Sequence, residues 1–221
     1  MHDRSHPALP NRYPHYDVLA KRNGASWNDK TREVIAERLS VTATPLFFST
    51  SEFLLLEAIA ARIVPQPSTR PPIPVAALVD RKLHGDIADG YRTDGMPRHR
   101  EAWRRGLHAL EAEALAAFQR PFVELSEATQ DELLRHAEAG ALKAADWGDM
   151  RCDGFFKRRL LHDIVLAYYA HPTAWSEIGW GGPASPRGYV RLDVNDRDPW
   201  EPAEAELGRE QDAARINRHV R

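Results

Sequence analysis

From Ser49 to Tyr169 the apolar side chains recur at helical spacing. Nowhere in the chain do four or more residues alternate apolar and polar in a β-branched run long enough to require a sheet. Tyr189-Val190-Arg191-Leu192 is the one strand-like candidate. The pattern predicts a mainly α fold.

The sharpest local signal is Ser49-Thr50-Ser51-Glu52, a capping box that satisfies free N–H groups at a helix start. Phe53, Leu54, Leu55, Leu56, Ile59, Ile63 and Val64 follow, and Pro65 ends the helix. Its charges Glu52, Glu57 and Arg62 step around the axis by about 140° each, which leaves no wide polar face. That helix is expected to be covered on most sides, in a core or an interface. Prolines at 65, 67, 71, 72 and 74 then exclude helix and central strand alike. Val75, Leu78, Val79 and Lys82 mark a helix to about His84, and Trp103, Leu107, Leu110, Ala114 and Phe118 mark one face of a long helix stopped by Pro121. Ser126 caps a helix through Leu133, Leu134 and Ala137. Asp153 starts another, carrying Phe156, Leu160, Ile164, Val165, Tyr168 and Tyr169, and His171-Pro172 ends it.

The two ends read differently. Met1 to Gly24, with Pro7, Pro10 and Pro14, has neither period and predicts an extended arm; Ser26 or Asn28 then caps a short helix from about Trp27 to Leu39. After Asp193 the chain is dominated by Asp, Glu, Arg, Pro199 and Pro202, and is expected to be a solvated or partner-wrapping arm. The organisation expected is an N-terminal arm with a short helix over 1–44, a helical domain over 45–192 and a polar tail over 193–221. The expected architecture is a single helical domain with extended N- and C-terminal arms that wrap a partner.

Composition narrows the function. With 30 basic and 32 acidic residues and a net charge of -2, the chain lacks the excess that a phosphate backbone demands, so no nucleic-acid partner is expected. Cys152 is the only cysteine, too few for a disulfide, an iron–sulfur cluster or a c-type haem, and reads as a buried small side chain. The apolar stretch 53–64 is interrupted by Glu57 and Arg62 and falls short of the about 20 residues that span a bilayer, so no membrane span is expected. Residues 1–16 show no basic start and apolar middle of a signal peptide, and Arg104-Arg105 and Arg158-Arg159 lie too deep for a twin-arginine signal. On the sequence as given, the expected location is cytoplasmic, with periplasmic export alongside a partner as the alternative.

The search for chemistry yields no site. In the predicted helices no histidine shows His-x-x-x-His or Glu-x-x-His spacing, and the neighbouring pairs His84/Asp86 and His162/Asp163 point apart on a helix, so the histidines read as core or surface residues. Gly179-Trp180-Gly181-Gly182-Pro183-Ala184 fits the loose dinucleotide-binding pattern but follows a helix and precedes Pro186, where a true fingerprint follows a strand and opens a helix. Neither a phosphate-cradling loop nor a nucleophile elbow is found. No catalytic, cofactor-binding or metal-ligating residue is expected.

Residues 168–183, with Pro186-Arg187-Gly188-Tyr189, combine glycines with Trp175, Trp180 and Tyr189, a composition suited to recognition as much as to folding over the chain's own core. Together with the capped helix Phe47-Phe48-Ser49-Thr50-Ser51-Glu52 to Ile63-Val64-Pro65, the long middle helix, Phe155-Phe156 opening a helix that ends Tyr168-Tyr169, and Ile178-Gly179-Trp180-Gly181-Gly182-Pro183, this segment resembles the gluconate 2-dehydrogenase subunit 3 family over about 47–189. The resemblance implies an all-helical, non-catalytic small subunit bound to a large FAD-containing dehydrogenase of the glucose-methanol-choline type. That partner would hold the FAD and oxidise a hydroxyl of a sugar, sugar acid or glucoside, with C3 of a glucoside as one candidate position and a cytochrome c subunit as a further candidate partner. Family members commonly begin with a twin-arginine signal, from which this sequence departs. On this reading Trp175, Trp180 and Tyr189 are the candidate partner-contact residues, with Phe53 and Leu56 as weaker ones. The alternatives are a transient assembly chaperone or adaptor for the flavoprotein, and an enzyme in its own right.

Overall fold

A computed structural model describes residues 11–87, 90, 94–185, 188–189 and 196–220. Helices run in the order α1 (Asp29–Leu39), α2 (Thr50–Ile63), α3 (Val75–His84), α4 (His99–Phe118), α5 (Glu127–Glu138), α6 (Cys152–Phe155), α7 (Leu161–Tyr169), α8 (Pro172–Ile178) and α9 (Glu210–Asn217). Short 3-10 turns lie at Val18–Lys21, Phe122–Glu124 and Ala145–Trp147, and a π-helical stretch, Phe156–Leu160, joins α6 to α7. No strand occurs among the described residues, and Val190 to Leu192 of the strand candidate lie outside them. The chain divides into two compact units, one gathering residues 1–40 and 169–221, the other residues 41–168.

In the unit 41–168 the capping box forms as expected. Ser49 N–H donates to Glu52 Oε2 at 2.8 Å and Glu52 N–H to Ser49 Oγ at 3.3 Å. Helix α2 buries Phe53, Leu55, Leu56, Ile59 and Ala60, and each large apolar side chain so buried contributes about 1.5–3 kcal/mol. Its remaining side qualifies the expectation: α2 is covered on most sides, but one row, Leu54, Glu57 and Ala61, faces solvent, with Leu54 52% exposed. The charges of α2 are spread round its axis, yet this row at i, i+3 and i+7 has nothing packed over it. Just before α2 the chain turns over the buried Asp80 of α3, whose carboxylate accepts from the N–H groups of Leu46 (2.6 Å), Phe47 (3.1 Å) and Phe48 (2.9 Å).

Helix α4 runs through this core. Trp103, Leu107, Leu110 and Ala114 are buried on the expected face, while Phe118, in its last turn, is exposed. Edge-to-face contacts link Phe48 to Trp103 and Trp103 to Phe155, with ring centroids 6.0 and 5.6 Å apart. Gly106 makes the second contact possible, because a Cβ there would lie 2.3 Å from Phe155 Cζ. The helix expected from Asp153 begins at Cys152 and loosens into the π stretch before regaining α geometry at Leu161.

The unit made from the two ends overturns the picture of separate solvated arms. Tyr16, Val18, Trp27, Ile35, Trp175, Trp200 and Val220 form one buried cluster. Asn217 of α9 donates to Pro14 O (3.1 Å) and Ala203 O (3.0 Å) and accepts from Ala203 N–H (2.7 Å), while Ala205 N–H donates to Arg12 O (2.7 Å). The tail is polar on average, but Ala213, Asn217 and Val220 fall on one side of a helical turn and are buried with Trp200 and Ala203. A second difference concerns His171-Pro172, which ends α7 and also opens α8: Pro172 sits at the first position, where its missing N–H costs nothing, and Thr173 N–H donates to His171 Nδ1 at 3.3 Å.

Candidate docking surface

Among the residues expected to meet a partner, the structure separates core from surface. Phe53, Leu56 and Trp175 are 3%, 0% and 2% exposed and pack inside the chain, whereas Trp180 and Tyr189 are 42% and 36% exposed. Buried side chains hold the fold, so they support a surface rather than form one. The exposed candidates are held rigidly. Trp180 sets its ring edge-to-face on Trp175, with centroids 4.7 Å apart, and its carbonyl accepts from Tyr16 Oη at 3.1 Å. Trp175 is anchored in turn by its indole N–H donating to Tyr169 O at 2.6 Å, with the Arg38 guanidinium over its ring. Tyr189 Oη donates to Gly182 O, and its ring meets Trp200 edge-to-face at 6.4 Å.

The glycine run serves close approach of these rings, not a phosphate. Gly179 ends α8 with φ +69°, and a Cβ there would lie 2.2 Å from Tyr13 Cζ. Ile178, beside it, is 47% exposed, so Ile178 and Trp180 form an apolar step at the end of α8.

A second exposed apolar surface, which sequence reasoning missed, lies in the other unit. A groove of about 360 Å³ between α2 and α4 is lined by Leu54, Leu55, Leu107, Pro121 and Val123, with Glu52 and Glu111 at its rim. Leu54 and Val123 are 52% and 45% exposed. The signal was the uninterrupted run Phe53 to Leu56: three consecutive leucines cannot all point to one side of a helix.

Two buried ionic centres were also not foreseen. Asp163 of α7 accepts from His99 Nε2 (2.7 Å), Lys82 Nζ (2.9 Å) and Trp103 Nε1 (2.7 Å). Burial alone pushes its carboxyl up, but the hydrogen bonds from His99, Lys82 and Trp103 outweigh burial and hold it down at about 2. Its partners thus include a histidine from α4, His99, 64 residues away in sequence. Likewise Asp86 pairs with Arg100 at 3.4 Å, while His84 meets Leu46 O at 3.2 Å. In the other unit Lys21 is wholly buried, its ammonium donating to Pro183 O (3.4 Å) and lying 5.8 and 5.7 Å from the ring centres of Trp27 and Trp200. Burial pushes it down to about 8 against the pull of Glu201 and Asp198. Neither centre has a sequence signature: a lone lysine in a polar arm looks like any surface lysine.

Among the described residues no group of three or more His, Cys, Asp or Glu could hold a metal ion, and no helix is long and apolar enough to cross a membrane. Cys152 is buried, its thiol directed at Leu142 O. Comparison with curated proteins and with solved structures gives no match. Comparison with family models does: gluconate 2-dehydrogenase subunit 3 matches residues 50–182 of 221, from the first residue of α2 to the glycines beyond α8. With well over half of its length matched, the chain belongs to the gluconate 2-dehydrogenase subunit 3 family.

Proposed function

We propose that this chain is the non-catalytic small subunit of a flavin-dependent dehydrogenase, binding and stabilising a large glucose-methanol-choline type subunit that holds FAD. The family match over α2 to α8 carries this reading. The chain's own chemistry is consistent with it, since the buried ionisable groups Asp163 and Asp80 are engaged in holding helices and turns. The large subunit oxidises a hydroxyl of a sugar, sugar acid or glucoside, with C3 of a glucoside as one candidate, and passes electrons to an acceptor such as a cytochrome c subunit. Substrate choice resides in that partner. The complex works in the cytoplasm or is exported with its partner to the periplasm, and fractionation of the producing cells distinguishes the two.

The test is to express the chain with and without a candidate glucose-methanol-choline type flavoprotein, purify through a tag on this chain, and record the visible spectrum. A yellow complex that survives gel filtration and reduces a dye with sugar is the expected result. A chain that stays colourless and monomeric beside the flavoprotein overturns the reading. Trp180, half-exposed on a rigid support, is the first contact to probe: Trp180→Ala weakens assembly by about 2 kcal/mol if it anchors the partner. Unchanged assembly removes it from the interface.

A further inference from the structure

The groove between α2 and α4 has an apolar floor and an acidic rim. Leu55 and Leu107 lie at its base, and Leu54 and Val123 rise exposed on either side. Along α4 the groove-lining Glu111 is followed by Leu115 and Phe118, four and seven residues on and hence on the same side of the helix, 47% and 37% exposed. Contiguous apolar surface of this kind, rimmed by polar groups, marks interaction sites, whereas apolar residues scattered singly need no explanation.

The charge around the groove is one-sided. Its ionisable lining residues are Glu52, Glu111 and His108, with no lysine or arginine. Both carboxylates are fixed by the fold: Glu52 accepts from Ser49 N–H at 2.8 Å and Glu111 from Phe122 N–H at 3.0 Å. His108 faces Asp146 at 3.0 Å, which adds a third acid. Glu57, one turn beyond Leu54 on the same exposed row, adds a fourth. The arginines next to the groove are engaged elsewhere: Arg120 pairs with Glu124 at 3.6 Å, Arg105 with Glu101 and Asp149, and Arg104, one turn before His108, lies over the Phe47 ring and donates to Phe47 O at 3.2 Å. An occupant must therefore bring apolar side chains for the floor and positive charge for the rim, which is the pattern of an amphipathic segment edged with Lys or Arg.

We infer that the α2–α4 groove is the docking site for a basic, amphipathic segment of the large dehydrogenase subunit; this rests on the reading of the chain as its small subunit. The segment lays two or three apolar side chains against Leu54, Leu55, Leu107 and Val123 and sets its basic residues against Glu52, Glu57 and Glu111. The groove lies within the family-matched residues and is built on the capping box, so the box that starts α2 also fixes one edge of the site.

The experiment places the photo-crosslinking residue p-benzoylphenylalanine at position 54 of the full chain, co-expressed with the flavoprotein. Leu54→Asp and Glu57→Lys are tested beside it for capture of flavin absorbance. Both positions are exposed, so a thermal melt matching the native chain accompanies each variant. The expected result is an adduct with the flavin-containing subunit that maps to a peptide with Lys or Arg flanking apolar residues. Binding is expected to weaken about tenfold for Leu54→Asp, with a smaller, salt-sensitive loss for Glu57→Lys. A yellow complex without an adduct at position 54, and with Leu54→Asp binding as the native chain does, overturns the groove while leaving the small-subunit reading intact. An adduct between two copies of this chain overturns the occupant. No yellow complex at all overturns both.

Discussion

The two units each bury an ion and treat it in opposite ways. In the unit 41–168, Asp163 is surrounded by donors from α3 and α4, and three hydrogen bonds make the charged form the favoured one. In the unit formed by the chain ends, Lys21 meets a carbonyl and two indole faces, and burial wins over its acidic neighbours. A buried charge with a full set of partners ties elements together, whereas one with partial compensation is a cost carried for position. The difference teaches which unit tolerates loss of its ion.

The largest expected effect follows directly. Asp163→Ala leaves Lys82 and His99 buried or half-buried without their acceptor, and breaking such a network by removing one partner costs about 3–5 kcal/mol. Hydrogen exchange of the α4 and α7 amides measures the loss within that unit. Acid acts on the same group. The folded carboxyl titrates at about 2 against an ordinary 3.8, so the folded state binds fewer protons between those values. The stability this gives is complete above about pH 4 and is lost as pH falls toward 2, a contribution on the order of 2 kcal/mol. If α4 protection factors are as large at pH 2 as at pH 5, Asp163 is not the ion holding this unit.

Lys21 predicts the opposite slope at the other end of the scale. Its folded value near 8 lies below the ordinary 10.5, so from pH 8 to 10.5 the unfolded chain holds a proton that the folded one has released. Stability of the end-to-end unit therefore rises through that window, by on the order of 2–3 kcal/mol. Tyr16 caps the rise: burial, with Tyr189, Asp17 and Glu201 nearby, keeps its hydroxyl protonated above the usual range, so stability falls once free tyrosines ionise above about pH 10. Lys21→Met abolishes the alkaline rise in α1 and α9 protection and changes stability at pH 7 by less than about 1 kcal/mol, because lost attraction to the rings is offset by relief of the buried charge. A loss at pH 7 as large as that of Asp163→Ala would erase the contrast between the units.

The same contrast decides what could be read in advance. Helix α2, the Ser126 cap of α5 and the limits of α3 were legible because each is written in adjacent residues: a capping box, a serine before a helical row, a proline before and a glycine after. The unit formed by the ends was not, since Trp27 and Trp200 join one cluster and Pro14 meets Asn217 only after the chain has returned on itself. The polar average of 193–221 hid Ala213, Asn217 and Val220, whose spacing was helical all along. For the docking surface, composition pointed to the aromatic segment and found Trp180 and Tyr189 exposed, but it also selected Phe53, Leu56 and Trp175, which the core takes. Apolarity names candidates for burial; only packing tells whether the chain or a partner covers them.

The smallest effects compare one substitution in both units. Gly106→Ala gains about 1 kcal/mol of helix propensity but drives a methyl into Phe155, whose ring is wedged against Trp103 and Trp147 and cannot swing away. Overpacking of about 1–3 kcal/mol leaves a net loss of up to about 2 kcal/mol. Gly179→Ala meets a ring as well, that of Tyr13, and adds the strain of φ +69°, about 1 kcal/mol. Tyr13 is only half-buried, so its ring can rotate outward and most of the clash is relieved. Urea denaturation followed by α4 and α8 exchange should therefore rank Gly106→Ala as the costlier change. The reverse order would mean that the unit built from the ends is packed as tightly around Tyr13 as the central unit is around Phe155.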